Sequence, residues 1–170
     1  DGRTYTLKLR QDAKWSNGEP VTAHDFVFAY QTISKKDTGS VYGFIVYQNL
    51  LNGQEVFDGK KDPSELGVKA LDDYTLEVTF VNPIPYALHL FSFSSFYPMN
   101  QKGYEEIGAE NYAKDADKIV TNGAYKIEEW VHDDHITLAK NDEHYNAKNV
   151  SIPKVKYLML RDGNARMNAF

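Results

Sequence analysis

The sequence predicts an α+β or mixed α/β fold, and three observations support this. Two hairpins can be recognised, with turns at Asp72-Asp73 and at His132-Asp133-Asp134. Helical periodicity lies between the strand segments, most clearly after Thr22. No segment repeats with a period of about 20–50 residues, which argues against solenoids and propellers. Strands are therefore expected to pair with their chain neighbours, with helices between them.

The chain begins with a strand pattern. In TYTLKLR, residues 4–10, the side chains of Tyr5, Leu7 and Leu9 alternate with polar ones. Strict alternation is typical of a strand with one face buried.

A sharp corner into a helix follows this strand. Asn17-Gly18 and Pro20 predict a turn, because glycine accepts a positive φ and proline blocks an immediate helix. Thr22 with Asp25 three residues later is a capping-box pattern. It predicts a helix over 23–35, whose buried face has apolar residues at spacings of three and four: Ala23, Phe26, Val27, Tyr30 and Ile33. Trp15 and Phe26 are candidates for the core.

The middle of the chain mixes short elements with aromatic segments. Residues 41–67 are expected to be helical in their middle and irregular toward Pro63. The first hairpin, VKALDDYTLEVTFV, comes next, and a short helix is expected over 86–92. FSFSSFYPMNQ, residues 91–101, alternates serine with aromatic residues, and we expect it to be extended and partly exposed.

The C-terminal third contains a predicted polar helix over 103–115, broken around Gly108. The second hairpin follows, and VKYLMLRD, residues 155–162, is a final strand pattern. The last residues, DGNARMNAF, have the pattern of the first turns of a helix. Since the chain has no initiator methionine and closes within this pattern, we expect an internal piece of a longer protein.

Composition and charge exclude several classes of function. The 170 residues carry a net charge of −5 and no basic run, so no nucleic acid partner is expected. The absence of cysteine excludes disulfides and cysteine-based metal or nucleophile sites. No cofactor is expected, since the glycine spacing of both nucleotide-binding fingerprints is missing.

Catalysis has no support in the motifs. No serine lies in a G-x-S-x-G elbow, and the pairs Glu105-Glu106 and Glu128-Glu129 are sequence neighbours whose side chains diverge. The segment HDDH at 132–135, with His144 nearby, is the strongest case for a metal-dependent hydrolase. Successive side chains on a tight hairpin point to opposite faces, so four ligands should not converge. We expect no metal site and no enzyme activity.

Aromatic residues are the remaining candidates for a binding function, at 14% of the chain. They concentrate in two segments, around Tyr42 and Phe44 and between Phe91 and Tyr97. Such rings can form the wall of a binding cleft, or they can simply fill the core. Composition alone leaves both interpretations open.

Three stretches together resemble a known family. They are DGRTYTLKLRQDAKWSNGEPVTAHDFVFAY, LGVKALDDYTLEVTF with NPIPY, and IVTNGAYKIEEWVHDDHITLAKNDEHY. Their order and spacing are similar to those of the extracytoplasmic solute-binding proteins that serve peptide ABC importers, the oligopeptide- and dipeptide-binding family. The segments GVKALDD and TNGAYK are closer to those of the oligopeptide branch.

The resemblance implies a two-lobed periplasmic-binding-protein-like fold that closes over its ligand. Residues 1–118 are expected to form an accessory subdomain, and residues 119–170 part of the first lobe. The opposite lobe is missing from this chain. In the peptide-binding members the ligand lies extended between the lobes and is bonded through its main chain, which gives affinity without reading sequence.

The resemblance also implies two ligand-binding residues. Tyr42 in GSVYGF matches a tyrosine that reaches the ligand cleft, although Val41 stands where relatives often have proline. Phe93 falls where relatives present a pocket-lining side chain of variable type. Asn122-Gly123 matches a turn that returns into the first lobe. The acidic group that pairs with the ammonium of the peptide belongs to the missing lobe.

The function implied is a receptor that captures oligopeptides outside the membrane and delivers them to the permease of an ABC importer. Such a protein is exported, is periplasmic or a lipid-anchored lipoprotein, and is a monomer; it would touch the membrane only through an anchor outside this segment. Within the same family the ligand could instead be a nickel chelate, haem, an oligosaccharide or a signalling peptide.

Overall fold

The computed structural model describes residues 2–169, which form two compact units. Within the described residues, the first unit contains 2–11 and 20–101, and the second contains 12–19 and 102–169. The first unit holds three strands and four helices: β1 (Thr4–Lys8), α1 (Ala23–Ile33), α2 (Phe44–Tyr47), α3 (Gly53–Phe57), β2 (Val68–Asp72), β3 (Thr75–Thr79) and α4 (Ala87–Phe91). The second holds α5, which begins at its boundary (Gln101–Ile107), β4 (Tyr125–Val131), β5 (His135–Lys140), β6 (Lys154–Leu158) and α6 (Gly163–Ala169).

The first unit is an antiparallel sheet covered by α1. Its strand order is β1-β3-β2, and Tyr5 pairs with Val78 and Leu7 with Leu76. The hairpin predicted around Asp72-Asp73 is confirmed, with a register shift between Ala70 and Asp72. Because alternate strand residues face α1, the sheet and the helix enclose a core whose largest buried members are Tyr30, Leu50, Leu76, Phe80 and Phe96.

The predicted capping box begins α1. The backbone N–H of Thr22 donates to Asp25 Oδ2 at 2.8 Å, which holds the first turn. The helix ends at Ile33, two residues before the predicted end, and Thr38 Oγ1 donates to the Thr32 carbonyl at 2.6 Å just beyond it. The predicted buried face of the helix is largely confirmed. Ala23 and Tyr30 are buried, and Phe26, Val27 and Ile33 are partly buried and pack against the core.

Two predictions about the aromatic middle differ in outcome. The helical segment expected within 41–67 is present as α2 and α3. The extended conformation expected over 91–101 is wrong in part, because Ser94–Phe96 form a 3₁₀ turn and Phe96 is buried. The turn places the Phe96 ring in the core. This tertiary contact cannot be predicted from the pattern of serine and aromatic residues.

The second unit is a three-stranded antiparallel sheet of order β4-β5-β6. Its β4–β5 hairpin turns where predicted, and Asp133 adopts φ 62°. Residues paired across the strands share a face, so Ile127, Leu138 and Val155 form one apolar row. Glu129, Thr137 and Lys156 form a polar row on the other face.

The helix predicted over 103–115 is shorter than expected. It ends at Ile107, because Gly108 adopts φ 85°, and the residues after it form turns. The final strand ends at Leu158, and a helical segment follows from Gly163, as its pattern indicated.

The corner residues 12–19 belong to the second unit. Ser16 N–H donates to the Thr121 carbonyl at 2.7 Å, and Lys14 pairs with Glu143 at 3.2 Å. Trp15 is buried there, at 2% exposed, as expected of a core residue. These contacts join residues 12–19 to the segment that begins at Lys102, within the second unit.

Across the described residues 2–169, no helix has the length and apolar character needed to cross a bilayer.

Candidate ligand-binding surface

Tyr42 stands on a tight loop that follows α1. Gly43 N–H donates to the Ser40 carbonyl at 3.3 Å, and Gly43 itself is buried. A Cβ atom at Gly43 would lie 2.8 Å from the Ile33 carbonyl oxygen, so only glycine fits this approach to the end of α1. Tyr42 is 57% exposed.

Phe93 stands on a second loop, at the start of the 3₁₀ turn after α4. The turn is fixed to α1, because the Tyr30 hydroxyl donates to the Phe96 carbonyl at 3.0 Å and the two rings pack edge to face. Burial raises the pKa of the Tyr30 phenol far above its usual value, so it remains a donor. Phe93 is 37% exposed although Phe96 is buried.

The fold brings these two loops together. The rings of Tyr42 and Phe93 meet edge to face, with their centroids 5.9 Å apart and their planes at 70°. Ser95 Oγ donates to the Tyr42 carbonyl at 3.3 Å and ties the loops to each other. The two residues expected to bind ligand are thus in direct contact on one surface of the first unit.

Phe44 completes this surface. Its ring lies 6.4 Å from that of Tyr42, tilted by 38°, and its side chain is 43% exposed. The sequence places Phe44 in an aromatic segment that could line a cleft, but the family resemblance assigns no ligand contact to it. We call Tyr42, Phe44 and Phe93 the aromatic shelf.

The histidines of the second hairpin do not form a metal site. His132 Nε2 lies 2.9 Å from Asp115 Oδ1, whereas His135 contacts Glu129 Oε2 at 2.9 Å and Asp134 Oδ2 at 2.7 Å. The hydrogen bond to Glu129, and then that to Asp134, raise the pKa of the His135 imidazole. Within residues 2–169, no group of three or more acidic or histidine side chains is placed to hold a metal ion.

An open depression of about 620 Å³ lies beside the first hairpin, lined in part by Lys8, Asp72 and Thr75. Lys8 Nζ donates to Thr75 Oγ1 at 2.6 Å, and Thr75 Oγ1 donates to Asp72 Oδ2 at 2.7 Å. These hydrogen bonds hold the turn. The hydrogen bond from Thr75, and then that from the Tyr74 N–H, lower the pKa of the Asp72 carboxyl. Because its polar groups bond to one another, this depression is a weaker candidate than the aromatic shelf.

Comparison with known proteins gives a consistent result. The model of the bacterial extracellular solute-binding proteins, family 5 middle part, matches residues 1–170. The periplasmic oligopeptide-binding protein OppA of Salmonella typhimurium is 38% identical over an alignment of 171 positions, which covers 100% of this chain and 31% of that protein.

Solved structures agree with the sequence comparison. The substrate-binding domain of an oligopeptide ABC transporter from Bacillus anthracis superposes with a TM-score of 0.94 at 42% identity, covering 99% of this chain and 32% of that one. OppA of Listeria monocytogenes bound to peptide superposes with a TM-score of 0.92 at 38% identity, covering 98% and 32%. The chain therefore spans about a third of the length of the relatives it matches.

Proposed function

The chain belongs to the bacterial extracellular solute-binding proteins of family 5, and from this membership we propose that the protein carrying it is a receptor for oligopeptides. Membership of a family of binding proteins agrees with the expected absence of enzyme activity. The observation that carries the proposal is the aromatic shelf, where the two residues expected to contact ligand lie together on the surface. Relatives named as oligopeptide-binding proteins support the ligand class.

The shelf suits one wall of a peptide-binding cleft. Tyrosine and phenylalanine rings offer a large contact area and have few rotatable bonds to immobilise, so contact with them costs little conformational entropy. Both loops are tied to α1, through Gly43 and through the Tyr30–Phe96 hydrogen bond, so the rings need little reorganisation on binding. A second wall is needed to bury most of a ligand, and we assign it to the lobe outside this chain.

The remaining features of the receptor follow from the same proposal. Residues 1–118 are an accessory subdomain and residues 119–170 part of the first lobe. The receptor works outside the cytoplasmic membrane as a monomer, hands peptides to the permease of an ABC importer, and is held at the membrane, if at all, by an anchor outside this segment.

Native mass spectrometry of the full-length protein, purified without denaturation, tests the ligand class. The expected result is a ladder of adduct masses that match short peptides. If the spectrum shows no adduct, titration with pentaalanine is expected to release or absorb heat. A single non-peptide adduct, or no adduct together with no heat, would contradict the proposal.

A further inference from the structure

Two long runs of the first unit carry no charged side chain. Residues 38–54 and 78–101 contain no aspartate, glutamate, lysine or arginine, in a chain where these residues make up 25%. One histidine, His89, is the sole titratable side chain of those runs other than tyrosine. The aromatic shelf is built from these two runs, with Tyr42 and Phe44 from the first and Phe93 from the second.

Each run adds a further exposed side chain with apolar surface, Val41 in the first and Tyr97 in the second. Val41, next to Tyr42, is 81% exposed. Tyr97 is 57% exposed, and its hydroxyl donates to the Ser92 carbonyl at 3.1 Å, directly before Phe93. The surface therefore offers contact area to an apolar group and brings no charge from its own segments.

Resting on the proposed peptide-binding function, we infer that the aromatic shelf is a side-chain subsite that favours a bulky apolar residue of the peptide over a charged one. An apolar side chain placed on the rings leaves water together with them, which is favourable in proportion to the area buried. A carboxylate or ammonium in the same place loses hydration and finds no counter-charge in the two runs that form the surface.

A cationic side chain differs from a carboxylate, because an ammonium group can lie favourably over the face of an aromatic ring. At the shelf the edge of one ring already meets the other, since Tyr42 and Phe93 are inclined at 70°. The ring face that this contact covers is not open to a cation. We therefore expect the shelf to bind lysine as weakly as aspartate, and leucine more tightly than either.

Isothermal titration calorimetry of the full-length protein with a substituted pentaalanine series tests the inference. Each of the five positions is replaced in turn by leucine, aspartate or lysine. At one position we expect leucine to bind about tenfold more tightly than aspartate or lysine. Phe93→Ala and Tyr42→Ala should reduce the ratio of the leucine affinity to the aspartate or lysine affinity to about a third or less of its original value. Leu71→Ala replaces an exposed apolar residue of β2 and should leave this ratio unchanged.

The outcomes separate this inference from the proposed function. If pentaalanine binds but leucine, aspartate and lysine are equivalent at every position, the receptor stands and the subsite is refuted. A preference for lysine over leucine, or a leucine preference that survives both shelf variants, also refutes the subsite. If no peptide of the series binds, the proposed function fails as well.

Discussion

The hydroxyl of Tyr30 donates to the backbone carbonyl of Phe96 at 3.0 Å, deep in the first unit, while the two rings pack edge to face with centroids 5.2 Å apart. This one contact joins the central helix to the loop that presents Phe93. Core packing and the geometry of the aromatic shelf are therefore coupled, and both can be tested with single substitutions.

Tyr30→Phe removes the hydroxyl and keeps the ring. We expect the free energy of unfolding to fall by about 1–2 kcal/mol, because the Phe96 carbonyl is left without its buried donor. Urea denaturation followed by circular dichroism measures the change. Tyr157→Phe is the matched control, since Tyr157 is 59% exposed and should lose almost nothing. Equal losses in the two variants would contradict the role given to this hydrogen bond.

Gly43→Ala tests how tightly the Tyr42 loop is held. The new Cβ would lie 2.8 Å from the Ile33 carbonyl oxygen, so we expect a loss of about 1–3 kcal/mol from this close contact. Differential scanning calorimetry should show a lower Tm. Gly163→Ala is the control, because no atom lies within 4 Å of a Cβ at that position and alanine favours the helix. An unchanged Tm in Gly43→Ala would mean that the loop is free to move aside.

Two substitutions of Tyr42 separate its ring from its hydroxyl. Tyr42→Ala should weaken peptide binding by about fivefold, because it removes the ring and its contacts with Phe44 and Phe93. Tyr42→Phe should weaken it less, since the ring stays in place. Calorimetric titration of the full-length protein with pentaalanine measures both. A larger loss in Tyr42→Phe than in Tyr42→Ala would show that the shelf does not act through ring contact.

The stability of the second unit should depend on pH through His135 and Glu129. The hydrogen bond between them raises the pKa of the His135 imidazole and lowers that of the Glu129 carboxyl, while Lys156 on β6 opposes protonation of the histidine and Asp134 favours it. The histidine contribution is complete below its unfolded pKa of about 6.5 and is lost as pH rises through the folded pKa. The glutamate contribution is complete above its unfolded pKa of about 4.3 and is lost as pH falls through the folded value.

The stabilisation by this pair should therefore be greatest between about pH 4.5 and about pH 6.5. The measurement is the difference in unfolding free energy between the unmodified protein and His135→Gln, followed across pH. His24→Gln provides the control, because His24 is exposed and pairs only loosely with Asp73, at 3.4 Å. A difference that stays constant from about pH 5 to about pH 9 would contradict the pairing.

Local features could be predicted from the sequence because they depend on neighbours along the chain. Thr22 and Asp25 are three residues apart, so their capping box needs no contact with a distant part of the chain. The hairpins at Asp72-Asp73 and at Asp133 depend in the same way on turn residues between alternating strands. The family resemblance rests on such local patterns, and it pointed to Tyr42 and Phe93.

The tertiary structure decided which distant segments meet. Phe93 reaches Tyr42 because Phe96 is buried against Tyr30, and no periodicity near Phe93 reveals that turn. Phe44, which the sequence placed only in an aromatic segment, joined the candidate site through its ring contact with Tyr42. Residues 12–19 joined the second unit through hydrogen bonds to Thr121. Contacts of this kind depend on how elements pack, because side chains far apart in the chain meet only where the elements that carry them lie against each other.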